Sequence, residues 1–404
     1  MAAEPARMSR AVIPLAITFV ILGQVGADLY LPSFSAMSSE LGVAPQYIEL
    51  SLSLFLLSMA VSQLFYGALS DALGRRRVIL PALLLYALGS AVCFFATGIA
   101  QLLVGRLLQG FAAGACLVIP RAVARDTCEG KRLAQVSVWL SIAWALVPMI
   151  APVAGGYVQD YLNWQSNFLI IFVFTLACFA LAFVFLPETR KGSTARFSWA
   201  EMFASMGMLL RNRWYVGYMI VPAMFFSHSA AYMAASPILY EKQLGLRPEQ
   251  YGLVIMVTAV FYLVGNLLNT VLLKKHDEED LVKAGLWLSL FGAFVMLVLS
   301  LMGPITLWAV AVPFCITYLA AGVVFANCVT LALRPFRERA GAASALLGCL
   351  QILMGCVSSA LMAWFSHGTP MPLAIYLAFC MTVAFVAVRW VVAGSTADTA
   401  TAAG

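Results

Sequence analysis

Apolar runs of about 20 residues, each able to cross ~30 Å of hydrocarbon as a helix, recur along the whole chain with short polar breaks between them. They fall near 11–33, 46–67, 78–98, 102–124, 136–157, 167–186, 214–237, 250–273, 281–302, 306–333, 341–364 and 371–392. The pattern predicts an all-α membrane protein with twelve transmembrane helices. Composition agrees. Of 404 residues 63% are hydrophobic and 10% charged, with mean hydropathy +0.92, which excludes a soluble globular domain.

The polar breaks alternate in charge. With both termini cytoplasmic, the inner segments hold 21 Lys and Arg and the outer ones only Lys242 and Arg247, while Arg106 stays inside a span. Cytoplasmic loops are enriched in basic residues, so this bias predicts N- and C-termini on the cytoplasmic side. The net charge of +6 then reflects topology, and no nucleic-acid partner is expected. The first apolar segment runs on into Asp28-Leu29-Tyr30-Leu31-Pro32 and reads as a helix, not a cleaved leader. The nine cysteines lie mostly within spans without a C-x-x-C pair, so neither metal nor disulfide nor cofactor is expected.

The longest inner segment divides the chain into an N-terminal six-helix bundle over 1–189, a cytoplasmic linker over 190–213 and a C-terminal six-helix bundle over 214–404. In the linker, Trp199, Met202, Phe203, Met206, Leu209 and Leu210 recur at helical spacing, as in an amphipathic helix on the membrane surface. A 6+6 layout is that of duplicated transporters, whose substrate sits near mid-membrane between the halves.

Charged residues inside spans cost at least ~2.5–3.5 kcal/mol unless paired or solvated, which makes them functional candidates. Asp28 reads as the one carboxylate well inside a span, and Arg106 as the one buried cation. Each lies about five residues from the outer end of its span, ~7–8 Å below the boundary. Matching depth suggests that Arg106 alternately holds and releases Asp28 while Asp28 exchanges a proton; a structural ion pair is the simpler alternative. Gln24 precedes Asp28 by one turn and Gln109 follows Arg106 on the same face.

Between spans two and three, the run Gly67 to Arg77 reads as a loop holding three arginines and an aspartate. Anchoring accounts for Arg75, Arg76 and Arg77, whereas Asp71 between Gly67 and Gly74 suggests a gate with Arg121, Arg125 and Asp126 as partners. Span seven places Met224, His228, Tyr232 and Ser236 four apart on one face. Of these, Met224, His228 and Tyr232 join Gln24, Gln109, Trp144, Phe225, Asn266, Asn269 and Asn327 as a candidate cavity lining, in which His228 is either a proton carrier or a neutral hydrogen-bonding residue. Small faces at Gly110 to Gly114 and at Ala151 to Gly156, including Pro152, Gly155 and Gly156, allow close helix packing.

The stretch Gly67-x-Leu69-Ser70-Asp71-x-x-Gly74-Arg75-Arg76 resembles the motif between helices two and three of the major facilitator superfamily. Asp28-x-Tyr30-x-Pro32, Arg106-x-x-Gln109-Gly110, Pro120-Arg121-Ala122-x-x-Arg125-Asp126 and Pro152-x-x-Gly155-Gly156 resemble its drug:proton antiporter branch, in particular the Bcr/CflA subfamily and EmrD-like members. The sequence departs from the pattern at Ala72, Ala151 and Val20. The resemblance implies the major facilitator fold and an antiporter motif in span five. Together these readings predict a bacterial inner-membrane antiporter that exports small amphipathic or lipophilic compounds in exchange for protons, as a monomer working by alternating access. The chain holds no phosphate-binding G-x-x-x-x-G-K-[ST] loop, consistent with proton drive. A dedicated metabolite, sugar or siderophore permease is the alternative on the same scaffold, and a membrane receptor or enzyme a remote one.

Overall fold

The structure is a computed structural model that describes residues 4–189, 199–302, 305–365 and 369–402. The part of the linker at 190–198 lies outside the described residues. The helices are α1 (Glu4–Asp28), α2 (Phe34–Glu40), α3 (Pro45–Leu73), α4 (Arg75–Phe94), α5 (Ile99–Thr127), α6 (Gly130–Tyr161), α7 (Trp164–Phe185), α8 (Trp199–Arg211), α9 (Arg213–Pro237), α10 (Pro248–Leu272), α11 (Glu278–Met302), α12 (Leu307–Leu333), α13 (Ala340–Phe365) and α14 (Met371–Ala402). A single 3₁₀ turn, Leu31–Ser33, joins α1 to α2.

Eleven described segments are long and apolar enough to span a bilayer. The twelfth, α9, has the length at 25 residues but carries Tyr215, Tyr218, Ser227, His228, Ser229 and Tyr232. Its polarity is internal: most of α9, including Tyr215, His228 and Tyr232, is buried against neighbouring helices, so the polar side chains are not presented to lipid. The all-α fold with twelve spanning helices follows. Many apolar side chains, such as Val173, Phe183 and Val184 on α7, are exposed. In a membrane protein that is the lipid face.

The chain packs as two compact units, Met1–Phe197 with Leu246–Met256, and Ser198–Gly245 with Val257–Gly404. In the first, α5 packs on α1, α3 and α4, and α4 also packs on α7. Small residues permit this. A side chain at Gly110 would strike the Phe55 carbonyl and one at Gly114 the Ser62 hydroxyl, while a Cβ at Gly89 would lie 2.7 Å from the Gln109 backbone nitrogen.

In the second unit, α9 packs on α12, α13 and α14, and α11 on α12 and α14. Gly265 of α10 and Gly322 of α12 bring those helices to backbone contact. About one turn further on, Asn327 Nδ2 donates to Asn269 Oδ1 at 2.8 Å and to the Val323 carbonyl at 2.9 Å, and Asn269 Nδ2 donates back to Asn327 Oδ1 at 3.3 Å. Interhelical amide bonds of this kind contribute ~0.6–2 kcal/mol in membranes. Asn269→Leu alone should lower the melting temperature of the detergent-purified protein by orphaning Asn327. The double Asn269→Leu/Asn327→Leu variant should recover most of that loss, because neither side leaves an unpaired amide.

Candidate functional site

Arg106 is fully buried on α5. Its Nη1 donates to the Gly26 carbonyl at 2.8 Å and to Gln109 Oε1 at 2.7 Å. The guanidinium carbon lies 4.1 Å from the Tyr30 ring centre and 4.3 Å from that of Phe55, with Phe168 at 5.9 Å. Aromatic faces attract cations, and the last carbonyls of α1 present the negative end of a helix dipole. These groups stabilise the charge in part and include no carboxylate, while Nε and Nη2 remain without a hydrogen-bond partner. Gln109 is held in turn, its Nε2 donating to Ser90 Oγ at 2.8 Å, and Ser90 donates to the Tyr86 carbonyl at 2.8 Å. Tyr86 donates to the Leu22 carbonyl at 3.0 Å, which ties the network back to α1.

Arg106 thus grips Gly26 and Tyr30, the residues two before and two after Asp28. Asp28 is 5% exposed, and its Oδ2 has no hydrogen-bond partner. The ion pair expected between Asp28 and Arg106 is not formed in this conformation: Arg106 donates through Nη1 alone, to Gly26 and Gln109, and its Nε and Nη2, like Asp28 Oδ2, have no hydrogen-bond partner. The two groups are neighbours but unpaired. Gln24 is buried one turn before Asp28, whereas Gln109 is engaged with Arg106 and Ser90. Asp28 is not the only buried carboxylate. Glu49, near the start of α3, is 1% exposed.

The run expected as a loop is almost wholly helical. Residues Gly67 to Leu73 complete α3, α4 begins at Arg75, and only Gly74 lies between, with φ of 105°. Gly74 turns the chain in a conformation that favours glycine, and a side chain there would collide with the Glu188 carboxylate. Glu188 accepts from the Arg75 backbone N–H at 2.8 Å and from that of Arg76 at 3.3 Å, capping the start of α4. Arg75 pairs with Asp71, donates to Asp126 Oδ2 at 2.9 Å and to Ser70 Oγ at 2.8 Å. Of the three expected partners only Asp126 joins this network, while Arg121 and Arg125 are exposed. Arg76 donates to the Phe183 carbonyl at 2.6 Å. Gly67 has only Val118 at 3.7 Å, so no close approach demands it. Glu188 was missed in sequence because it sits at the end of span six, where a carboxylate reads as an ordinary boundary residue.

The second unit gathers the remaining candidates differently. His228 is buried beside Phe225, Phe314 and Tyr318, and is stacked on Phe314 at 5.8 Å between centres. Neither imidazole nitrogen has a hydrogen-bond partner. Tyr232 stacks on Phe314 at 3.9 Å, and its hydroxyl lies 3.2 Å from that of Tyr240. Met224 is buried one turn before His228. Asn269 and Asn327 do not line a cavity with free amides, since each binds the other. Asn266 donates to the Tyr262 carbonyl at 3.0 Å in its own helix, and Trp144 packs on the core formed by Ala16, Val20, Leu140 and Ala143.

A model of the Major Facilitator Superfamily matches residues 16–359. The chain belongs to the major facilitator superfamily. It is accordingly a non-enzymatic, multi-pass membrane transporter of small molecules. Among relatives, it is 30% identical over 84% of its length to an uncharacterized MFS-type transporter YdgK of Bacillus subtilis, of which 85% is covered. It is 27% identical over 91% of its length to a bicyclomycin resistance protein homolog of Haemophilus influenzae, 92% of which is covered. It is 28% identical over 85% of its length to the multidrug resistance protein MdtL of Shewanella oneidensis, again with 85% covered. The crystal structure of the peptide transporter POT shares the fold, with a TM-score of 0.74 at 13% identity over 95% of this chain and 93% of that one.

In this superfamily member, the small-residue end of α6 meets the Asp28 corner directly. A side chain at Gly155 would collide with the Leu29 carbonyl, and one at Gly156 with that of Pro248. A Cβ at Gly252 would in turn lie 2.6 Å from the Pro152 carbonyl. Gly155→Ala should therefore displace Leu29 and, with it, Asp28. Overpacking of this kind costs ~1–3 kcal/mol, so a lowered melting temperature and loss of transport are expected with membrane insertion retained. Gly98→Ala, where a Cβ meets open space, should leave both unchanged.

Proposed function

We propose that the chain exports small amphipathic or lipophilic compounds across a bacterial inner membrane in exchange for protons, with both termini cytoplasmic. The observation that carries the reading is the neighbouring, unpaired Asp28 and Arg106 in the first unit. With Asp28 protonated and neutral, Arg106 rests on Gly26, Gln109 and the two aromatic faces. Loss of the proton leaves a carboxylate beside a guanidinium, and ion pairing then draws Arg106 off the α1 carbonyl. Only an interaction that differs between two states can shift a conformational equilibrium, and this exchange of partners is such an interaction.

The Asp71, Arg75 and Asp126 network serves in this proposal as the cytoplasmic latch that breaks and reforms as access alternates. The names of the relatives, bicyclomycin resistance and multidrug resistance, support export of drug-like compounds over uptake of one metabolite. The distribution of 21 basic residues against two supports the orientation. In the second unit, the buried cluster around Met224, Phe225, His228 and Tyr232 is apolar and aromatic, and would suit lipophilic molecules better than sugars, which need many polar partners, if alternate access opened it.

Everted vesicles with an internal pH-quenched dye test the reading. Addition of ethidium, tetraphenylphosphonium or chloramphenicol should alkalinise the lumen with the wild type and not with Asp28→Asn. Wild-type rates in Asp28→Asn would remove Asp28 from coupling, and a response confined to a single sugar or metabolite would favour a dedicated permease.

A further inference from the structure

Glu49 has no place in the latch or in the Arg106 network, yet it is more deeply buried than Asp28, at 1% against 5%. Its Oε2 has no hydrogen-bond partner, and among the described residues it forms no ion pair. It lies one turn into α3, whose first turn has no side-chain cap. Two residues on, Ser51 meets the Tyr30 hydroxyl at 3.0 Å, and Tyr30 is the ring that covers Arg106.

The ionisable groups on the surrounding elements at this end make no hydrogen bond to Glu49 Oε2. Arg106 on α5 donates through Nη1 to Gly26 and Gln109, and its Nε and Nη2 have no hydrogen-bond partner, Glu49 included. Glu40 on α2 accepts from Trp164 Nε1 at 2.8 Å and Gln165 Nε2 at 2.9 Å. Tyr86 and Cys93 on α4 point to the Leu22 and Leu102 carbonyls, and Asp28 on α1 has no cation bound. Among the described residues no cation is therefore paired with Glu49. An isolated buried carboxylate is expensive unless it takes a proton, and its release then requires access to water or a cation brought in from outside.

We propose that Glu49 is a second proton-exchanging carboxyl of the first unit, acting beside Asp28; this rests on the antiporter reading above. It holds a proton in the arrangement described and gives it up when α3 is hydrated in the alternate state. The cycle then moves protons through two carboxyls at the same end of the unit.

Dicyclohexylcarbodiimide, which reacts with protonated carboxyls in apolar surroundings, tests this on the full-length wild type. Glu49 should be labelled, as read by peptide mass spectrometry, with labelling that falls as pH rises and falls again when ethidium is added. Absence of labelling, or labelling indifferent to both, would overturn the proposal. In everted vesicles the isosteric Glu49→Gln variant should reduce the protons moved per ethidium to about half, one titrating carboxyl of two remaining. An unchanged ratio would sink the role of Glu49 alone, whereas the absence of any ethidium-driven proton flux in the wild type would sink the antiporter reading itself.

Discussion

A guanidinium held inside a membrane bundle without a carboxylate is the constraint around which the first unit is built. An unpaired charge there is tolerated only if other groups replace its water. Arg106 obtains them for Nη1 and for its flat faces from a helix-end carbonyl, an amide and two aromatic rings, and leaves Nε and Nη2 without a hydrogen-bond partner. Gln109 must be oriented by Ser90, Ser90 sits on the Tyr86 carbonyl, and Tyr86 reaches across to α1. The glycines of α4 and α5 let those helices come close enough for the chain of bonds to close. Tight helix packing and charge stabilisation are here one requirement.

The same logic explains the turn between α1 and α2. Tyr30 covers Arg106 while its hydroxyl meets Ser51, and Ser33 receives Asn167 Nδ2 at 3.0 Å from α7. Glu40 then takes both Trp164 and Gln165 at the start of α7. The segment after Asp28 is thereby pinned from three helices, with Gly155 of α6 pressing on Leu29 from a fourth. On the antiporter reading, a change in the charge of Asp28 at this many-sided corner would be passed to Arg106.

Much of this was legible in the sequence, for identifiable reasons. Apolar runs are long and charges few, so the twelve spans, and Asp28 and Arg106 within them, stand out directly. Even α9 could be read as a span, although its polar residues leave it less apolar than the others. Residues near span boundaries were harder. Glu49 lies three residues inside the predicted start of span two, where charged side chains commonly reach the interface, and only the folded structure shows it enclosed. Glu188 and the helical Gly67 to Leu73 segment escaped for a related reason: helices continue past the hydrocarbon, and hydropathy marks the membrane edge, not the helix end. Partner choice was the least legible. Spacing placed Asn269, Asn327 and Gln109 on inward faces but could not say that they would satisfy one another or Arg106 instead of remaining free.

The two units divide the chemistry unequally. Among the described residues, the buried charged side chains are Asp28, Glu49, Arg75 and Arg106, all in the first unit. The second unit buries serines, threonines, an asparagine pair, tyrosines and His228, whose ring is enclosed by aromatic neighbours. A group can couple proton movement to conformation only if its charge changes and that change alters its contacts. In the first unit a proton lost from Asp28 has a waiting counter-ion in Arg106. In the second, a proton gained by His228 would create a cation with no carboxylate to meet it. On the antiporter reading, the proton-driven step therefore belongs to the first unit, while the second holds His228 in an apolar and aromatic cluster without a charged partner.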